Sequence, residues 1–127
     1  MAKILIVDDE EDIAFSIARR LSASGHEAIC AEDGLEGLQR AQNESPDLIL
    51  LDLMLPKMDG FKVCRLLKFD QRYKHIPIIM LSARSQEADI AQGRETGAEC
   101  YMTKPFDSGE LLAKINELLA ASADTAE

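Results

Sequence analysis

Short apolar runs alternate five times with amphipathic stretches along this chain, and that rhythm leaves few architectures open. The runs KILIV (3–7), HEAICA (26–31), LILLDL (48–53), IPIIMLS (76–82) and ECYMT (99–103) read as strands. Near-continuous apolar strands belong to sheets buried on both faces. Between them, Ile13, Ile17 and Leu21 recur at helical spacing, and Gly25 stops that helix. Asp33 with Glu36 forms a capping-box pattern ahead of Leu35, Leu38 and Ala41, and Pro46 closes the segment. Asp59-Gly60 opens a third helix carrying Val63, Leu66 and Leu67. The fourth runs from about Gln86 to Glu95 and ends at Gly97. Asp107 with Glu110 caps the last, which carries Leu111, Leu112, Ile115, Leu118 and Leu119. The order βα, repeated five times, predicts an α/β domain over residues 1–120, with a parallel sheet covered by helices on both faces. The tail 121–127 is small and polar, and is expected to fray or to begin a linker.

The first strand runs straight into Asp8-Asp9-Glu10-Glu11-Asp12. In open parallel sheets, ligands bind beyond the carboxyl ends of the strands. Those ends carry Asp8-Asp9, Asp52, Ser82 and Thr103-Lys104. Carboxylates gathered at one rim repel each other, and a hard divalent cation with oxygen ligands would offset this. A hydroxyl and an ammonium beside them suit a phosphoryl group. A carboxylate can itself be the nucleophile, giving an aspartyl phosphate. Taken singly, each residue has a plainer reading. Asp8-Asp9 fits a solvated turn, Asp52 a loop start, and Glu10, Glu11 and Asp12 the charges a helix N-terminus favours.

Net charge is −9, which argues against direct binding to nucleic acid or to anionic membrane. Cys30, Cys64 and Cys100 form no CxxC pair, so neither a zinc site nor a disulfide framework is suggested, and a cytoplasmic setting is expected. His26 and His75 are isolated and read as surface residues.

The segments ILIVDDEED, PDLILLDLMLPKMDG, IPIIMLSAR and AECYMTKPF, in this order and spacing, resemble the receiver domain of two-component response regulators over about residues 3–119. The resemblance implies the flavodoxin-like strand order 2-1-3-4-5. It makes Asp52 the phospho-acceptor. It places Mg²⁺, or Mn²⁺ in its stead, on Asp9, Asp52 and the Met54 carbonyl, with Asp8 acting through water. Ser82 becomes the switch hydroxyl, Lys104 the partner of the phosphoryl oxygens, and Tyr101 the aromatic that follows the hydroxyl inward. Lys104-Pro105 matches a peptide bond that is usually cis. Phosphorylation would remodel the surface of helix four, strand five and helix five.

The implied partners are a sensor histidine kinase or histidine phosphotransfer protein and a downstream target or output domain, with a phosphorylation-dependent homodimer also open. Kinase choice would rest on helix one, with Ala14, Phe15 and Ala18 as candidates. Met54 and Arg84 occupy positions that tune attack of water on the acyl phosphate, and their bulk implies a lifetime of minutes or longer. Cys100 departs from the family's acidic pair before the aromatic, which speaks against the dimer of the transcription-factor subfamily, and the last helix, which carries an arginine in that subfamily, offers Lys114 here.

Other classes fit less well. Haloacid-dehalogenase phosphatases need D-x-D, and here the sequence is Asp52-Leu53-Met54. A flavodoxin-type cofactor domain needs a phosphate-cradling loop where this chain has DDEED. A phosphorylation-independent scaffold would be expected to have lost one of the site residues. The reading is a binding switch, not an enzyme.

Overall fold

The computed structural model describes residues 2–83 and 86–125. Strands β1 (Lys3–Val7), β2 (Glu27–Ala31), β3 (Leu48–Leu51), β4 (Ile78–Ser82) and β5 (Cys100–Thr103) alternate with helices α1 (Glu11–Ala23), α2 (Gly34–Glu44), α3 (Gly60–Lys68), α4 (Glu87–Glu95) and α5 (Ser108–Thr125). The five strands form one sheet in the order β2-β1-β3-β4-β5. Every pairing is parallel, with Val7 opposite Ala31 and Leu51, Leu51 opposite Met80, and Ser82 opposite Thr103.

Successive strand residues point to opposite faces, so the sheet builds two cores. Leu5, Val7, Ile49, Leu51, Ile78 and Met80 pack with Phe61, Val63 and Leu67 of α3 and Ala41 of α2. Ile4, Ile6, Leu48, Leu50, Ile79 and Leu81 pack with Ala14, Ile17 and Leu21 of α1 and Leu111 and Ile115 of α5. The helix caps work as their sequences imply. Asp33 accepts the Glu36 N–H and Asp59 the Lys62 N–H, while Asp107 accepts those of Gly109 and Glu110. The Glu36 carboxylate, however, reaches the N–H of Glu32, one residue before the cap.

Three expectations need correction. Leu35 and Leu66 are exposed. In α2 Gly37 faces the sheet, together with Leu38 and Ala41, while Gly34 faces the loop after β3. A Cβ at 34 would strike the Met58 carbonyl, and one at 37 would stand 2.7 Å from Val7 Cγ1. In α3 the apolar stripe is Phe61, Val63, Cys64 and Leu67, which turns Leu66 to solvent. The segment expected to fray from residue 121 is instead helical as far as Thr125, as the end of α5. Ala120, Ala121 and Ala123 are strong helix formers.

At the opposite edge of the sheet from the carboxyl rim, Lys68 is only 6% exposed in its side chain. Its Nζ donates to the carbonyls of Lys74 (3.0 Å) and Ile76 (2.7 Å) and to Glu99 Oε2 (2.6 Å). Glu99 Oε1 in turn accepts the Ile78 N–H, so one ion pair ties α3, β4 and β5 together. Among the described residues no helix is long and apolar enough to cross a membrane.

Candidate functional site

The sheet itself delivers the site. Asp8, Asp52 and Lys104 each follow the last residue of a strand, and each is held there by one more ladder hydrogen bond. The Asp8 N–H donates to Ala31 (3.1 Å), that of Asp52 to Val7 (2.9 Å) and that of Lys104 to Ser82 (2.8 Å). Parallel register thus sets two acids and an ammonium side by side, although 96 residues separate Asp8 from Lys104.

Both acids are buried, Asp8 being 4% and Asp52 6% exposed. Asp8 is well bonded: Oδ1 accepts the Glu10 N–H (2.9 Å) and Oδ2 the Lys104 Nζ (2.9 Å). Asp52 is poorly bonded. Its Oδ1 has the Met54 N–H at 3.4 Å and its Oδ2 the Lys104 Nζ at 3.5 Å. Burial, together with the charge of Asp8, pushes the Asp52 carboxyl up to about 6, against the pull of Lys104. Burial works against the Lys104 ammonium, yet its hydrogen bond to Asp8 and the charges of Asp52 and Asp8 hold it above the usual lysine range.

Lys104 has a third partner that the sequence reading assigned only to the helix terminus. Glu10 Oε1 lies 3.2 Å from Nζ. Asp8, Glu10 and Asp52 form the group of acids, among the described residues, whose oxygens lie within 4.8 Å of one another. Asp9 is not in that group. It is exposed and borders an open hollow with Leu53, Met54, Pro56, Asp59 and Lys62. The Asp8 and Asp52 carboxylates offer oxygen donors only, and these two buried acids carry more negative charge than the one ammonium of Lys104 comfortably offsets. That fits a hard divalent cation such as Mg²⁺.

Ser82 is buried at the carboxyl end of β4, one strand from Asp52. Tyr101 lies half-buried on β5 and packs against the core that includes Phe61. The Lys104-Pro105 peptide is cis. Met54 is exposed, whereas Arg84 lies outside the described residues. Of the α1 candidates for partner contact, Phe15 is exposed but Ala14 is buried against the sheet and cannot serve. Cys30, Cys64 and Cys100 are all free thiols. Glu10 was missed because its nearest labelled signal, a carboxylate at a helix start, is also the commonest cap pattern. Only the reach of its longer side chain toward Lys104 distinguishes it.

A family model described as the response regulator receiver domain matches residues 4–116. The alkaline phosphatase synthesis transcriptional regulatory protein PhoP of Bacillus subtilis is 48% identical over 120 residues, covering 94% of this chain and 49% of that protein. Protein PilH of Pseudomonas aeruginosa is 39% identical, covering 94% of this chain and 99% of its own. The chain therefore spans about half the length of PhoP and nearly all of PilH. A CheY-like response regulator receiver domain protein of Methanospirillum hungatei JF-1 has the same fold, with TM-score 0.92, 30% identity and 98% of each chain covered.

Proposed function

Because the chain belongs to the response regulator receiver family, we propose that it is a phosphorylation-driven binding switch with Asp52 as acceptor. The observation that carries this is the state of Asp52: buried, weakly bonded, and 3.5 Å from Lys104. An acid so placed has oxygens free for attack and a cation beside the charge that develops.

In the proposed step an Asp52 oxygen attacks the phosphorus of a phosphohistidine on a sensor kinase or phosphotransfer protein. The P–N bond breaks, and the electron pair returns to the imidazole. Lys104 stabilises the phosphoryl oxygens. A Mg²⁺ ion held by Asp52, Asp9 and the Met54 carbonyl, with Asp8 through water, would neutralise charge on the transferring group.

The acyl phosphate adds strong acceptors at the rim. Ser82 is drawn to them, and Tyr101 follows. α4 is poorly anchored, with Asp89 and Gly93 its buried residues, so the α4–β5–α5 surface is the one to respond. That surface then meets a downstream protein or an output domain. No turnover substrate is assigned, and the setting is the cytoplasm.

The test is intact mass after acetyl phosphate and Mg²⁺, for wild type and Asp52→Asn. One phosphate on wild type alone, dependent on Mg²⁺, is the expected result. No adduct on wild type, under conditions that label another receiver, overturns the reading.

A further inference from the structure

We propose that Glu10 is a displaceable counter-ion of Lys104: it holds the ammonium in the resting site and must yield to an incoming phosphoryl oxygen, so that it restrains phosphorylation. This rests on Asp52 being the acceptor.

Lysine has three N–H donors. In the resting site all three face carboxylates: Asp8 at 2.9 Å, Glu10 at 3.2 Å and Asp52 at 3.5 Å. A phosphoryl oxygen that is to pair with Lys104 has to take the place of one of them. The side chains of Asp8 and Asp52 are 3% and 7% exposed. Parting either from Lys104 would strand a charge in the interior, which is far costlier than parting a surface pair. The Glu10 side chain is 57% exposed and can swing into water. Among the described residues no other side chain pairs with its carboxylate. Glu10 is the N-cap residue of α1, yet its side chain makes no cap hydrogen bond. Of the three partners it is the one that leaves at little cost, and while it stays it competes with the anion.

Two substitutions separate charge from reach. Glu10→Gln removes the charge. Glu10→Asp keeps it on a shorter side chain, and Asp at an N-cap bonds the first turn, which draws it away from Lys104. Beryllofluoride with Mg²⁺ serves as the phosphoryl mimic, followed by calorimetric titration. Mg²⁺ alone is titrated in parallel, and thermal unfolding shows that each variant is folded.

Both variants should bind beryllofluoride about two- to fivefold more tightly, the scale of one released surface ion pair. Initial labelling by acetyl phosphate should rise by a similar factor. Glu10→Asp should leave Mg²⁺ affinity within about twofold of wild type. Unchanged anion binding in both variants overturns the proposal and makes Glu10 a solvated cap. Weaker anion binding together with weaker Mg²⁺ binding in both also overturns it and makes Glu10 a metal ligand. If wild type binds neither beryllofluoride nor a phosphate from acetyl phosphate, the acceptor reading itself fails.

Discussion

The Tyr101 ring of β5 lies against the backbone of α4 so closely that a Cβ on Gly93 would stand 2.7 Å from Tyr101 Cδ2. The absent side chain is what lets the aromatic lodge between α4 and the Phe61 side of the core. Gly93→Ala gains roughly 1 kcal/mol in helix propensity but overpacks the contact at roughly 1–3 kcal/mol. A net loss of about 1 kcal/mol is expected, with the Tyr101 ring resonances shifted by NMR. A variant as stable as wild type with unmoved resonances would show that the ring has spare room.

Asp52 should weaken the fold at neutral pH. Its carboxyl titrates at about 6 in the folded chain against an ordinary value of 3.8, so the folded state binds the proton more tightly. The stability this lends is complete below about pH 4 and is lost as pH rises through about 6. Asp52→Asn should therefore be more stable than wild type at pH 7, on the order of 2 kcal/mol, with the gap closing near pH 4. Urea midpoints at pH 7 and pH 4 check this. A gap that widens toward acid would reverse the sign.

Mg²⁺ should stabilise the protein by relieving the same repulsion. At a hundredfold excess over Kd the gain is about 2.7 kcal/mol, read as a rise in Tm that Asp52→Asn largely abolishes. An equal rise in wild type and variant would place the ion elsewhere.

How far the sequence reached can be judged from individual residues. Strand ends were legible because apolar runs terminate abruptly at charged residues, and parallel register then places Asp8, Asp52 and Lys104 together. Helix facing was less so. Leu35 and Leu66 sit at plausible helical spacing, but spacing does not say which stripe meets the sheet. In α2 Gly37 took that role with Leu38 and Ala41, because only a bare backbone fits against Val7, and Gly34 lies against the loop at Met58. Glu10 and Lys68 escaped notice for another reason. Each acts through the far end of a long side chain, and local sequence carries no record of reach.

Lys68→Met should cost about 2 kcal/mol, because it strands Glu99 and two carbonyls that share one buried ammonium. Adding Glu99→Gln should cost less than the two single changes together. Strict additivity in urea unfolding would mean the pair is not coupled.

Gly60→Ala should couple fold to site. A Cβ there would fall on the Asp52 carbonyl oxygen, so the start of α3 cannot move without moving the backbone of Asp52. The variant should lose at least 1 kcal/mol of stability and also accept phosphate from acetyl phosphate more slowly. A stability loss with normal labelling would uncouple the two.

Lys104 follows β5, an edge strand whose residues are all only half-buried, while its carboxylate partners follow the central strands β1 and β3. The contact is therefore also a clasp that fastens the rim strand to the middle of the sheet. An anion seated at Asp52 would share that ammonium once Glu10 gives way, and so act on the clasp, while a partner that grips β5 would act on it from the other side. Occupancy of the site and the hold on the outermost strand are then two readings of one lever, and force applied at either end is felt at the other.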